Sequence, residues 1–221
     1  MELRILKFRE FVRNRMASHD ASHDIVHVDS VYRNFLHIVC RTDDVSSLKR
    51  ETGALVALGH ELCDRKYTNT LDCARVRADV EAYLSEIGCC SIVVHDVVTI
   101  IPLISFTRRC NDGIPNMTQS QRDVYLMVCD ADILEALGMT GLVRTYMYQA
   151  VAGGSMQDAA RYIEKNLFNA VDYLNHEWAR EEGARRLSVM QITFSMLNEE
   201  TSSSPPMERA LPTLPQNTYC V

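Results

Sequence analysis

Seven histidines are spread over the 221 residues, and a histidine standing alone is usually a core or surface residue. Two short stretches resist that reading. His60 and Glu61, with Asp64 one turn on, sit inside the apolar run Gly53-Ala-Leu-Val-Ala-Leu-Gly-His-Glu-Leu-Cys-Asp64. Burying an imidazole and carboxylates there is costly unless something pairs with them. At helical spacing His60 and Asp64 project from one face. A divalent cation would offset the cost, because neutral imidazole and carboxylate are its natural ligands. Asp130-Ala-Asp132, inside Leu126-Met-Val-Cys-Asp-Ala-Asp-Ile-Leu134, is a second polar cluster in an apolar helix. Its alternative is a buried helix cap or an ion pair.

The elements that must position these groups read as helices. In 74–88, Val76, Val80, Tyr83, Leu84 and Ile87 fall on one face, with Gly88 as a stop. In 120–137, Val124, Met127, Val128, Ala131, Leu134 and Leu137 do the same, ending at Gly138. Leu3 to Met16, Val28 to Cys40, Thr52 to Cys63 and Gln157 to Asn198 are also best read as helices. The β-branched stretch 91–105 has no partner strand and reads as a buried helix capped near Pro102. Residues 106–119, with Asn111-Asp-Gly113 and Pro115, read as a loop. The fold class is therefore all-α, one bundle over residues 1–198. The Ser/Pro-rich stretch 199–221 reads as a disordered tail with little to bury.

Composition narrows the function. Hydrophobic residues make up 47% and charged residues 24%, as in ordinary globular domains. A net charge of -6 speaks against a dedicated nucleic-acid surface. No apolar run approaches the ~20 residues that span a bilayer, and the charged N-terminus lacks a secretory pattern. A cytoplasmic protein is expected. The eight cysteines include no Cys-x-x-Cys pair and read as reduced thiols, with Cys40, Cys63 and Cys129 buried.

Three motifs in this order resemble the HD superfamily of metal-dependent phosphohydrolases, closest to its small bacterial-type members. The opening motif stands as Asp20-Ala-Ser22-His23-Asp24-Ile-Val-His27, followed by Val31-Tyr-Arg33. The doublet helix stands as Leu58-Gly-His60-Glu61-Leu-Cys-Asp64-Arg-Lys66, and the late motif as Asp130-Ala-Asp132-Ile-Leu134 with Gly141-Leu-Val-Arg144-Thr145. The resemblance covers about residues 17–195, including the basic stretch Ala184-Arg-Arg186-Leu187.

What it implies is specific. His27, His60 and Asp132 would be metal ligands, with Glu61 in place of the doublet's Asp and Asp130 as the alternative to Asp132. His23-Asp24 spells the doublet's letters but would brace the start of the first ligand helix. Asp64 would position or deprotonate water. Lys66, Arg144 and Arg33 would grip phosphates, with the pair Arg108-Arg109 as further candidates. Mn²⁺ or Fe²⁺ suits such a donor set, with Mg²⁺ or Co²⁺ next. The implied substrate is a phosphorylated small molecule, a nucleotide by family habit, and a homodimer is among the assemblies allowed. Glu61 departs from the family, which keeps open a second reading: a non-catalytic HD-fold module binding a nucleotide or a protein partner.

Overall fold

The computed structural model describes residues 1–17, 19–64 and 70–203. Among them there are ten α-helices and no strand: α1 Glu2–Arg15, α2 Ile25–Val39, α3 Ser47–Gly59, α4 Thr70–Glu86, α5 Ser91–Ile100, α6 Phe106–Asp112, α7 Gln119–Glu135, α8 Gly138–Val151, α9 Met156–Asn166 and α10 Glu177–Ser203. The all-helical expectation holds.

Helix α3 is the centre. Every residue from Glu51 to Gly59 is buried, against α1, α2, α5 and α7. Small residues make this possible. A Cβ on Gly53 would stand 2.3 Å from the Phe35 ring, and one on Gly59 would stand 2.6 Å from Ile101 Cδ1. Such separations are inside van der Waals contact, so α3 packs close to α2 at Gly53, and to α1 and the turn at Ile101 at Gly59, only because these side chains are missing. The one carboxylate on this stretch of α3, Glu51, accepts a bond from Arg4 Nε at 2.6 Å, which satisfies its buried charge.

Starts and stops follow local chemistry. Asp24 caps α2 by accepting from Val26 N and His27 N at 2.9 and 3.2 Å. Ser46 caps α3 through Lys49 N, so the helix begins five residues before the Thr52 expected from periodicity. Thr118 and Gln121 form a reciprocal capping box on α7.

Several expectations need correction. The expected loop 106–119 contains α6, which Ser105 caps through Arg108 N and Gly113 ends with φ of +73°, a backbone conformation that glycine adopts freely. The expected single helix 157–198 is two. α9 runs into a 3₁₀ turn at Leu167–Tyr173, and α10 starts at Glu177. The break has a cause: the Asp130 carboxylate takes the backbone N–H groups of Asn175 and His176 at 2.9 and 2.8 Å, so these cannot serve a continuous helix. α10 then continues to Ser203, past the expected boundary at 198. The remainder of the expected tail, 204–221, lies outside the described residues. Cys63 and Cys129 are buried, but Cys40 is exposed, and the seven described cysteines are all free thiols. No single described helix is long and apolar enough to cross a membrane.

Candidate metal centre

Three elements converge on one point. His27 comes from the first turn of α2, which Asp24 holds in place. Asp132 comes from the last turn of α7. His60 and Glu61 come from a 3₁₀ turn, His60–Cys63, that tightens the end of α3. The tightening moves Asp64 beyond the turn in extended backbone, so His60 and Asp64 are not one α-helical turn apart as expected. Both nevertheless line the same cleft.

The distances are those of a ligand cluster. His27 Nε2 and His60 Nε2 are 3.2 Å apart. Glu61 Oε1 lies 3.1 Å from His27 Nε2 and 3.5 Å from His60 Nε2. Asp132 Oδ1 lies 3.6 and 3.8 Å from the same two nitrogens. Ligand atoms of His27, His60 and Asp132 all lie within 4.8 Å of one another. His27, His60 and Glu61 are buried, at 3%, 4% and 4% exposure, while Asp132 is partly open to the cleft. Glu61, despite its extra methylene, reaches the histidines.

The electrostatics call for a cation. Burial pushes the Glu61 carboxyl up, but the bonds from His27 and His60 outweigh it and hold the group well below the usual carboxylate range. Burial lowers His27, offset in part by Glu61. Burial would lower His60 too, but Glu61 and then Asp132 outweigh it and push it up to about 9. His60 Nδ1 donates to the Ala57 carbonyl at 2.8 Å, which aims Nε2 at the cluster and favours the metal-binding tautomer. Glu61 Oε2 and His27 Nδ1 are buried with no hydrogen-bond partner. The Nε2 atoms of His27 and His60, gathered with an oxygen each from Glu61 and Asp132 at one point, fit a divalent cation.

The two aspartates of the late motif part company. Asp130 is fully buried. Besides the two backbone N–H groups, it accepts from Asn175 Nδ2 at 2.7 Å and His176 Nδ1 at 2.8 Å. It is the buried cap of α10, the alternative its sequence context left open, and its oxygens face away from the cluster that Asp132 joins.

The cluster opens into a cleft of about 690 Å³. Arg77 of α4, Arg108 of α6 and Arg144 of α8 line it, with Tyr148, Tyr162, Phe106 and Leu167. His23 lines it as well, with Nδ1 at 2.7 Å from Ser22 Oγ and its ring edge-on to Tyr148. Arg144 is anchored by Nε to the Ser22 carbonyl at 2.7 Å. Gly141 of the same motif is required by space: a Cβ there would meet the Ala136 carbonyl oxygen at 2.0 Å.

Arg33 is a correction. It is exposed, bonds Ser30 Oγ at 2.7 Å and is not among the residues lining the cleft. Six residues after His27 on a helix, it points about 120° away. Lys66 lies outside the described residues. Arg77 and Tyr162 were missed, since only the packing of α4 and α9 brings them here. Tyr148 had a signal in its i+4 spacing from Arg144.

No protein-family model matches the chain, and no curated protein sequence does. Solved structures do. Bacillus subtilis YpgQ in complex with ADP shares 21% identity over 90% of this chain and 98% of its own, with a TM-score of 0.70. A Lactobacillus plantarum protein shares 18% over 92% and 99%, with a TM-score of 0.73. An HD-superfamily hydrolase from Bacillus thuringiensis shares 21% over 92% and 99%, with a TM-score of 0.68. The chain shares the fold of these proteins, an HD-domain fold.

Proposed function

We propose that this protein is a metal-dependent phosphohydrolase that cleaves a phosphoester or phosphoanhydride bond of a nucleotide. The observation that carries the reading is the convergence of His27, His60 and Asp132, with ligand atoms within 4.8 Å, at the wall of a cleft that also presents three arginines. In this reading His27, His60, Glu61 and Asp132 hold one divalent cation, Mn²⁺ or Fe²⁺ before Mg²⁺ or Co²⁺. When bound, such an ion supplies Lewis acidity toward a phosphoryl oxygen and lowers the pKa of water.

The chain's own residues do the rest. Arg144, Arg108 and Arg77 approach from three walls and bind anionic oxygens, where a planar guanidinium offers paired donors. Lys66 adds to them by its place in the sequence motif. Asp64, carried on extended backbone at the cleft wall, orients water and accepts its proton. Tyr148, Tyr162 and Phe106 bound the part of the cleft that takes base and sugar. YpgQ, whose fold this chain shares, was solved with ADP, which favours a nucleotide over other phosphoesters.

The test is a substrate screen. Purified protein is loaded separately with Mn²⁺, Fe²⁺, Co²⁺ and Mg²⁺ and offered nucleoside mono-, di- and triphosphates, with a sugar phosphate as comparison. Phosphate and pyrophosphate release are measured. The expected result is metal-dependent release from a nucleotide that His60→Ala abolishes. Nucleotide binding without release under any metal would overturn the catalytic reading in favour of a binding module.

A further inference from the structure

Beside the candidate metal centre, one turn beyond Asp132 on α7, lies a closed polar triangle. Asn34 and Glu135 are buried at 4% and 6% exposure. Arg186 of α10 donates by Nη2 to Asn34 Oδ1 at 3.1 Å and by Nη1 to Glu135 Oε1 at 3.4 Å. Asn34 Nδ2 closes the triangle on Glu135 Oε1 at 3.2 Å. Two further bonds leave it for the backbone. Asn34 Nδ2 donates to the Ala131 carbonyl at 3.1 Å, and Arg186 Nη1 to the Leu134 carbonyl at 2.7 Å.

These carbonyls bracket Asp132, one residue before it and two after. Asn34 stands seven residues from His27, two turns along the same face of α2. We infer that Asn34, Glu135 and Arg186 are positioning residues of the metal centre, fixing the turn that carries Asp132 against the helix that carries His27. The inference rests on the metal-binding reading above. At the end of α7 the Leu134 carbonyl takes a long backbone bond, from Leu137 N at 3.4 Å, so the guanidinium at 2.7 Å is its shorter partner and without it this turn is freer to fray. Donor placement of the kind a metal centre needs is held to about 0.5 Å. Arginine is required by shape: its planar fork reaches Asn34, Glu135 and the Leu134 carbonyl together, and a lysine ammonium on a flexible stem cannot.

The test compares Arg186→Lys and Asn34→Ala with Phe194→Leu, which loosens α10 packing eight residues further on without touching the triangle. Melting temperature is measured without metal, and cobalt binding by titration of the visible absorption. Arg186→Lys and Asn34→Ala are expected to bind cobalt about ten-fold more weakly than wild type, with an altered band, a loss typical of groups that orient ligands. Phe194→Leu is expected to lose melting temperature but keep the wild-type affinity and band. Wild-type cobalt binding in both triangle variants, with only a lower melting temperature, would reduce the triangle to a packing role and overturn the inference. If Arg186→Lys fails to fold, Asn34→Ala carries the comparison. Absence of cobalt binding by the wild type itself would instead overturn the metal-binding reading, so the two failures are distinct.

Discussion

Glu61 occupies the position where the resembling family has Asp, and its substitution gives the sharpest prediction. Its Oε1 stands 3.1 Å from His27 Nε2 and 3.5 Å from His60 Nε2, placed to share a cation with both. Glu61→Gln keeps this shape and removes the charge. Glu61→Asp keeps the charge and retracts it by about 1.5 Å, one carbon–carbon bond. At a Mn²⁺ concentration 100 times the wild-type Kd, binding stabilises the native state by about 2.7 kcal/mol. For a chain of this size that raises Tm by roughly 5–10 °C. A hundred-fold weaker Glu61→Gln would keep only about 0.4 kcal/mol, roughly 1 °C, from the same mass-action relation. Glu61→Asp, weakened about ten-fold at most, would keep about 1.4 kcal/mol or roughly 3–6 °C. The assay is thermal unfolding of the three proteins with and without Mn²⁺, alongside metal analysis after desalting. An equal Mn²⁺-induced shift in Glu61→Gln and wild type would refute the reasoning, because the carboxylate charge would then play no part in holding the ion.

His27→Ala, His60→Ala and Asp132→Ala are each expected to abolish the Mn²⁺-induced rise in Tm, while His23→Ala retains most of it; metal loss in His23→Ala with retention in His27→Ala would mean the ligand register is wrong. Asp130→Ala should do the opposite of Asp132→Ala. It leaves the buried N–H groups of Asn175 and His176 without an acceptor, at about 1–3 kcal/mol each, so Tm should drop by roughly 10 °C while metal binding survives; preserved Tm with lost metal would contradict the capping role. Glu182 provides a pH test. The bonds from Arg185 and then Arg186 pull its carboxyl down to about 2, so its stabilising contribution is complete above about pH 4.5 and is lost as pH falls toward 2. The Tm difference between wild type and Glu182→Gln should therefore shrink across that window in acid unfolding, and a difference that stays constant would show that the carboxylate charge is not what holds this contact.

The sequence by itself determined the all-helical class, the strongly periodic helices, the order of the motifs and the residues that could meet. The 3.6-residue spacing in 74–88 and 120–137 is a local property, and amphipathic periodicity survives any later packing. Polar groups such as His60, Glu61 and Asp132 inside apolar runs are visible without coordinates, because their burial is costly wherever the helices go. Tertiary structure alone decided the rest. Asp130 and Asp132 sit two residues apart in one motif, and only the return of the chain at Asn175 and His176 makes the first a cap and leaves the second facing the histidines. The same contact splits the expected helix 157–198 in two, since its cause is 45 residues away in sequence. Arg77 fell inside the cleft because the direction of a side chain depends on how a helix is rotated against its neighbours. Periodicity identifies a buried face, but the groups on its margins are assigned by packing.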